Sequence, residues 1–270
     1  MAVAPETREI VLRERVRDVY TAFRGYRLAP HIEPDACFPG VCDDRPLRAD
    51  SLHRLPPSAF ENYQWKAITT WGSVDDFKHF LPRLLEIAAT TQAEDTSTQV
   101  EAWRVFGKLR YGKWRRWKSK EQQVLDAFFD ALWSALLARP VDASGTEWQA
   151  QTLGDWLSSF AHAHEDLSRF LSQWEAEAGD SAQGLMAAAH LAQTVVRSRD
   201  GLLKKGSLDW DMYNELDGQE AQMMAWLASD AVRRSLEAAF FHWSASPYAA
   251  LLSDAHEWLG WWRQRLLGGA

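Results

Sequence analysis

An all-α protein of roughly ten antiparallel-packed helices, with a long Pro-rich loop near the N-terminus, is the fold this sequence predicts, and three observations predict it. Apolar residues recur at spacings of three and four through most of the chain, which lines them along one face of a helix. Pro, Gly, Ser and Asp punctuate those stretches where helices start and stop. No stretch sustains a two-residue alternation of polar with β-branched side chains, so no strand can be placed.

The first helix is expected over 6–24. Pro5 suits its first turn, Glu6 and Glu9 complement its positive end, and Leu12, Val16, Val19, Tyr20 and Phe23 form its stripe. Gly25 ends it. Residues 25–57 contain Pro30, Pro34, Pro39, Pro46, Pro56 and Pro57, which no helix of length survives. This loop is expected to be ordered, because its prolines preset their own φ and because Tyr26, Leu28, Ile32, Phe38, Val41, Leu47 and Leu52 can pin it to the helices.

Helical spacing resumes at Ser58 with Phe60, Tyr63, Ala67 and Ile68, and breaks at Gly72. Ser73 then reads as a helix cap with Asp76 in the first turn. Phe77, Phe80, Leu81, Leu84, Leu85 and Ala88 follow as a core stripe, and Pro82 within it predicts a kink or a late start. Beyond polar residues 90–98, a helix is expected over 100–110. Another starts at the capping-box spelling Ser119-Lys120-Glu121-Gln122, with Phe128, Phe129, Leu132 and Trp133 facing the core. Residues 139–146 are the candidate boundary between an N-terminal half (1–138) and a C-terminal half (147–270), unless the two form one continuous domain. The second half reads as five or six further helices, without a fixed-period repeat.

Residues 63–86 run Tyr-Gln-Trp-Lys-Ala-Ile-Thr-Thr-Trp-Gly-Ser-Val-Asp-Asp-Phe-Lys-His-Phe-Leu-Pro-Arg-Leu-Leu-Glu. This string resembles a group of uncharacterised bacterial all-helical proteins marked by a Thr-Trp-Gly…Asp-Phe-Lys-His-Phe-Leu-Pro-Arg signature. The likeness extends to Lys108-Leu-Arg-Tyr111 and the helix from Ser119, about the first half of the chain. It implies a helical fold and a bacterial origin, and it carries no catalytic residue to transfer.

Composition bounds function. With 46% hydrophobic and 25% charged residues over 270 positions, the chain is globular rather than disordered. Its 15 Trp are expected to fill gaps between helices. A net charge of −7 argues against a general nucleic-acid binder. Two cysteines, Cys37 and Cys42, make no disulfide framework and suggest a reducing compartment. The opening residues carry no apolar signal core, and nowhere do 18 apolar residues run together, so neither export nor a membrane partner is expected. Cytoplasm is the expected location.

Four constellations bear on chemistry. His31-x5-Cys37-x4-Cys42, completed by His53 or His79, offers imidazole and thiolate for a zinc clip; two small buried cysteines without metal is the simpler reading, and no cofactor is expected. Asp75 and His79 are four apart, share a helix face, and could act as base and orienter or as metal ligands; an acid-favoured helix start is simpler. Residues 103–120 contain Arg104, Lys108, Arg110, Lys113, Arg115, Arg116, Lys118 and Lys120 with no acid among them, interleaved with Trp103, Phe106, Tyr111, Trp114 and Trp117. Such a segment pairs with the chain's own acids, binds a protein partner (through Arg104, Lys108, Arg115, Arg116 and Lys118), or, least expected, holds nucleic acid. Finally, His162-Ala163-His164-Glu165-Asp166 is expected on an ordinary helix.

No phosphate-binding Gly loop, H-E-x-x-H or G-x-S-x-G motif is present. The expected function is therefore a non-enzymatic, bacterial, cytoplasmic protein-binding module, and an immunity-type protein neutralising a toxin fits the acidic charge. One alternative is a metal-dependent or metal-stabilised enzyme using the His31/Cys37/Cys42 loop and the Asp75/His79 pair. A second is a nucleic-acid binder through residues 103–120.

Overall fold

The computed structural model describes residues 4–32, 42–90, 100–141, 152–179, 184–204, 207, 208, 210 and 216–268. Among these residues there are eleven α-helices and no strand. The single backbone bridge, Ala67 with Trp71, closes a turn. The chain divides into two compact units, Glu6–Leu132 and Trp133–Ala270, the latter with Met1–Pro5. The division falls inside a helix; of the expected boundary 139–146, residues 142–146 lie outside the described residues.

The N-terminal unit contains α1 (Pro5–Phe23), α2 (Glu61–Lys66), α3 (Val74–Thr90), α4 (Ala102–Tyr111) and most of α5 (Ser119–Ala138). Leu12, Val16, Val19 and Phe23 of α1 are buried, as their spacing requires. On α3, Phe77, Phe80, Leu81 and Leu84 are buried, and so are Phe128, Phe129 and Leu132 on α5. Edge-to-face aromatic pairs set the core: Phe80 meets Tyr63 at 5.0 Å and Phe60 at 5.7 Å, and Phe106 meets Phe129 at 5.0 Å.

α3 begins with a reciprocal cap. Ser73 Oγ accepts from the Asp76 backbone N–H, and Asp76 Oδ2 accepts from the Ser73 backbone N–H at 2.8 Å. The helix then runs unbroken through Pro82 to Thr90. The proline forgoes only the N–H bond to the Lys78 carbonyl. The expected box at Ser119 does not form: among the described residues the Ser119 side chain caps nothing. Glu121 turns into the core instead, and Gln122 Nε2 reaches back to the Trp117 carbonyl at 2.7 Å.

The described parts of the Pro-rich loop are strapped down by the start of α3. His79 Nδ1 bonds the Tyr26 carbonyl at 2.9 Å, and Asp76 Oδ1 accepts from the Ala29 N–H at 3.5 Å. Arg48 reaches the Ala29 carbonyl at 2.6 Å. Gly72 adopts φ +77°, and a Cβ there would lie 2.7 Å from Ile32 Cγ2, so only glycine fits. Ile32, Leu47 and Leu55 are buried, while Tyr26, Leu28 and Leu52 are half-buried; Phe38 and Val41 lie outside the described residues. From Pro46 onward the chain makes three 3₁₀ turns, Pro46–Arg48, Leu52–Arg54 and Pro57–Phe60, the first and third opened by a proline. The helix expected from Ser58 therefore begins only at Glu61.

The C-terminal unit contains α6 (Leu153–Ala161), α7 (Ser168–Ala178), α8 (Leu185–Lys204), α9 (Asp217–Leu227), α10 (Asp230–His242) and α11 (Ala249–Gly268). α8 is its central element and packs against α6, α7, α10 and α11. Trp133 is enclosed by Phe160, Phe170 and Trp174, and its indole N–H donates to the Phe170 carbonyl at 2.9 Å. A full capping box, Thr152 with Asp155, starts α6. Gly154 permits close approach to α8, since a Cβ would fall 2.8 Å from Thr194 Cγ2. The segment His162–Asp166 is a correction to expectation: α6 ends at Ala161 and these residues form the turn into α7. His164 is buried there between Phe160 and Phe170.

Candidate functional site

The basic segment splits into two environments. α4 presents Arg104, Lys108 and Tyr111 along one side, because residues four and seven apart share a helix face. The short α2 places Trp65 beside them. The Arg104 guanidinium lies against the Trp65 ring and 4.0 Å from the centroid of Trp103; planar guanidinium stacks on aromatic faces in this way. Trp65 and Trp103 meet edge to face at 6.4 Å. Trp65, Trp103 and Tyr111 are 55%, 39% and 58% exposed. Glu101 receives hydrogen bonds from Arg104 Nε and from the Trp103 indole N–H. Lys108 Nζ donates to the Trp65 carbonyl at 2.7 Å and to Thr69 Oγ1 at 3.2 Å. Burial, then the neighbouring charges of Arg104 and Lys66, pull its pKa down to about 8.

The rest of the segment is partly self-paired. Arg115 makes a two-pronged bond to Asp126 at 2.6 and 3.0 Å and lies 3.8 Å over the Trp114 ring. Lys118 is 3.9 Å from Glu121. Arg110, Lys113 and Arg116 are exposed and make no ion pair among the described residues. Of the interleaved aromatics, Phe106 and Trp114 are core whereas Trp103 and Tyr111 face outward. Trp65 carries no signal as a site residue in the sequence, except that it falls outside the Phe60-Tyr63-Ala67 stripe of its own helix.

Behind this surface lies a buried cage that no sequence motif marks. Lys78 Nζ bonds Glu121 Oε2 at 2.9 Å and Tyr26 OH at 3.0 Å, and Tyr26 OH donates to Glu121 Oε1 at 2.6 Å. The ammonium also sits 4.3 Å from the Trp117 ring centroid. Burial alone would drive the Lys78 pKa down, but the Tyr26 and Glu121 bonds outweigh it and raise it. Burial would likewise raise Glu121, and the bonds from Tyr26 and Lys78 lower it. Tyr26, Lys78 and Glu121 satisfy one another, while the Trp117 indole N–H donates to the Gly112 carbonyl at 2.8 Å.

Among the described residues, the candidate ligands and the Asp75/His79 pair are not brought together. His31 is exposed, with Nδ1 3.6 Å from Asp44. Cys42 is disulfide-bonded, which corrects the expectation of free cysteines in a reducing compartment, and in that form its sulfur offers a metal no thiolate. The chain's other cysteine, Cys37, lies outside the described residues. Among the described residues no group of three or more His, Cys, Asp and Glu is placed to hold a metal ion. His79 turns its Nδ1 to the Tyr26 carbonyl, while Asp75 is exposed; no bond joins the two among the described residues. No helix among the described residues is long and apolar enough to cross a membrane.

The geometry that stands out is thus an exposed aromatic face with stacked and flanking cations. No family model, curated protein or solved structure matches the chain.

Proposed function

We propose that this protein is a non-enzymatic binding module that docks an acidic protein surface on the face formed by Trp65, Trp103, Arg104, Lys108 and Tyr111. The observation that carries the reading is the exposure of two tryptophans and a tyrosine around one stacked arginine. Trp, Tyr and Arg are the residue types that dominate binding energy at protein interfaces. Lys66 and Arg104 lie close enough to Lys108 to depress its pKa, so the face carries clustered positive charge, which favours an acidic partner and speeds its approach. A bacterial cytoplasmic immunity-type protein, which silences a toxin by binding it, belongs to this class. Nucleic acid is disfavoured by the net charge of −7 and by the self-pairing of Arg104 and Arg115.

The test is capture from the source cells with wild-type protein and with the double variant Trp65→Ala/Arg104→Ser. Wild type should recover a protein of low isoelectric point. The variant should recover at least tenfold less while keeping the helical content and cooperative melting of the wild type, with a modest fall in melting temperature because the Arg104 side chain is largely buried and paired with Glu101. Equal recovery by both proteins, or recovery of nucleic acid in place of protein, rejects the reading.

A further inference from the structure

A second concavity lies on the N-terminal unit, away from the docking face. α1 contributes Tyr20 and Thr21 to it, with Arg24 just beyond the helix end; the Leu52–Arg54 turn contributes His53; α3 contributes His79 and Pro82. Its volume is about 260 Å³, small beside the pockets of drug-sized ligands and suited to a single ring.

The chemistry of the lining is one-sided. His53 lies beside the Tyr20 ring at 4.3 Å with their planes 34° apart, and with Phe23 and Tyr26 these aromatic side chains line one part of the recess. The ionisable lining groups are one arginine, two histidines and two tyrosines, with no carboxylate. The nearby carboxylate of Glu86 is occupied, accepting from Tyr20 OH at 2.6 Å and from Arg83 at 2.7 Å. In a chain of net charge −7 this is a locally cationic recess.

Donors and acceptors are also fixed. The Tyr26 carbonyl can only accept, so His79 Nδ1 carries its proton and Nε2 is the lone-pair nitrogen in the neutral ring. Thr21 spends its hydroxyl hydrogen on the Arg17 carbonyl at 3.0 Å, which leaves its oxygen as an acceptor. The recess therefore offers a cation at Arg24, aromatic side chains along one part, and acceptors at His79 and Thr21.

We propose that this recess is a binding site for a small aromatic acid that also bears a hydroxyl group. The carboxylate pairs with Arg24, the ring lies against Tyr20, His53 and Pro82, and the hydroxyl donates to His79 Nε2 or Thr21. A bare phosphate would forgo the aromatic lining, and an aromatic amine would meet Arg24 with like charge.

Calorimetric titration with 4-hydroxybenzoate, benzoate, benzylamine and inorganic phosphate tests this directly. For wild type, 4-hydroxybenzoate should bind with a Kd of about 1 mM or tighter, as expected of a one-ring ligand. Benzoate should bind several-fold more weakly, and benzylamine and phosphate at least tenfold more weakly. Arg24→Gln, at an exposed position, should lose at least tenfold for both acids with no change in melting temperature, and His53→Leu should weaken both. Absence of 4-hydroxybenzoate binding at concentrations of about 10 mM, equal binding of benzylamine or phosphate, or undiminished binding by Arg24→Gln overturns the proposal. Neither Arg24 nor His53 belongs to the docking face, so this result and the capture experiment fail independently.

Discussion

In the N-terminal unit, Lys78 and Glu121 enter the core charged and together; in the C-terminal unit, His190 enters it neutral and half-satisfied. The first pair is closed by Tyr26 and Trp117, and every polar atom finds a partner. His190 of α8 donates from Nε2 to the Arg139 carbonyl at 3.0 Å, but its Nδ1 has no hydrogen-bond partner among the described residues; nor does Thr194 Oγ1, one turn along the same helix. Burial pulls the His190 pKa down to about 4, against the bonds to the Arg139 and Leu136 carbonyls, which act to raise it. The difference shows that a charge can sit in a helical core without making it sensitive to pH, provided its counter-charge is buried with it. A lone neutral base makes the core acid-labile.

The largest expected effect comes from separating the pair. Glu121→Leu leaves the Lys78 ammonium buried and should cost roughly 3–5 kcal/mol of stability, read as a fall in denaturant midpoint. Lys78→Met combined with Glu121→Leu should recover part of that loss, because no charge is then left buried, while the Tyr26 hydroxyl loses both of its partners and retains a share of the cost. A double variant as unstable as the single would show that the cage contributes through shape rather than charge.

Acid titration is the next most sensitive probe. His190 has a folded pKa near 4 and an ordinary value of 6.5, so between these values the unfolded chain binds more protons than the folded one, and stability falls as pH falls. The C-terminal unit should lose on the order of 3 kcal/mol across that window, and His190→Phe should flatten the loss. The N-terminal cage behaves oppositely. The depressed Glu121 pKa stabilises above its ordinary value of 4.5, and the raised Lys78 pKa stabilises below 10.5. Its contribution is therefore constant from about pH 5 to 10. Hydrogen exchange followed at pH 7 and pH 5 should show protection falling in α8 and in the last turns of α5, where His190 bonds the Leu136 carbonyl, and unchanged in α3 and in α5 up to Leu132.

The smallest effect compares the two caps. Thr152→Ala and Ser73→Ala each remove one side of a capping box and should cost about 1 kcal/mol. Exchange should quicken in α6 alone for the first. For the second it should quicken in α3 and also at Ala29, since Asp76 holds both.

Much of this fold was legible because helical cores announce themselves by period. Phe77, Phe80, Leu84, Phe128, Leu132 and Trp133 fall on stripes that only burial explains. The caps were half legible. Ser73 meets an acid three residues on and forms its box, whereas at Ser119 the residue three on, Gln122, donates back to the Trp117 carbonyl instead, and Glu121 between them turns to Lys78, a residue 43 positions away. Long-range polar partners leave no local trace, which is why neither the cage nor the recess shows in the sequence. Of the face proposed for docking, the run of cations pointed to Arg104 and Lys108, but Trp65 comes from another helix, and tertiary packing alone sets it against them.

The stacked arginine between two outward-facing indoles also makes the surface optically addressable. Among the described residues only Trp65, Trp103 and Trp261 are exposed indoles, so long-wavelength emission reports mainly on them, while Trp71, Trp114, Trp133 and Trp174 emit from apolar surroundings. Iodide, drawn to Arg104 and the lysines around it, quenches Trp65 and Trp103 more readily than caesium does, because like charge keeps caesium away. The protein thus needs no label to show when that face is covered, since whatever covers it removes the share of iodide-accessible light that Trp65 and Trp103 supply and leaves that of Trp261.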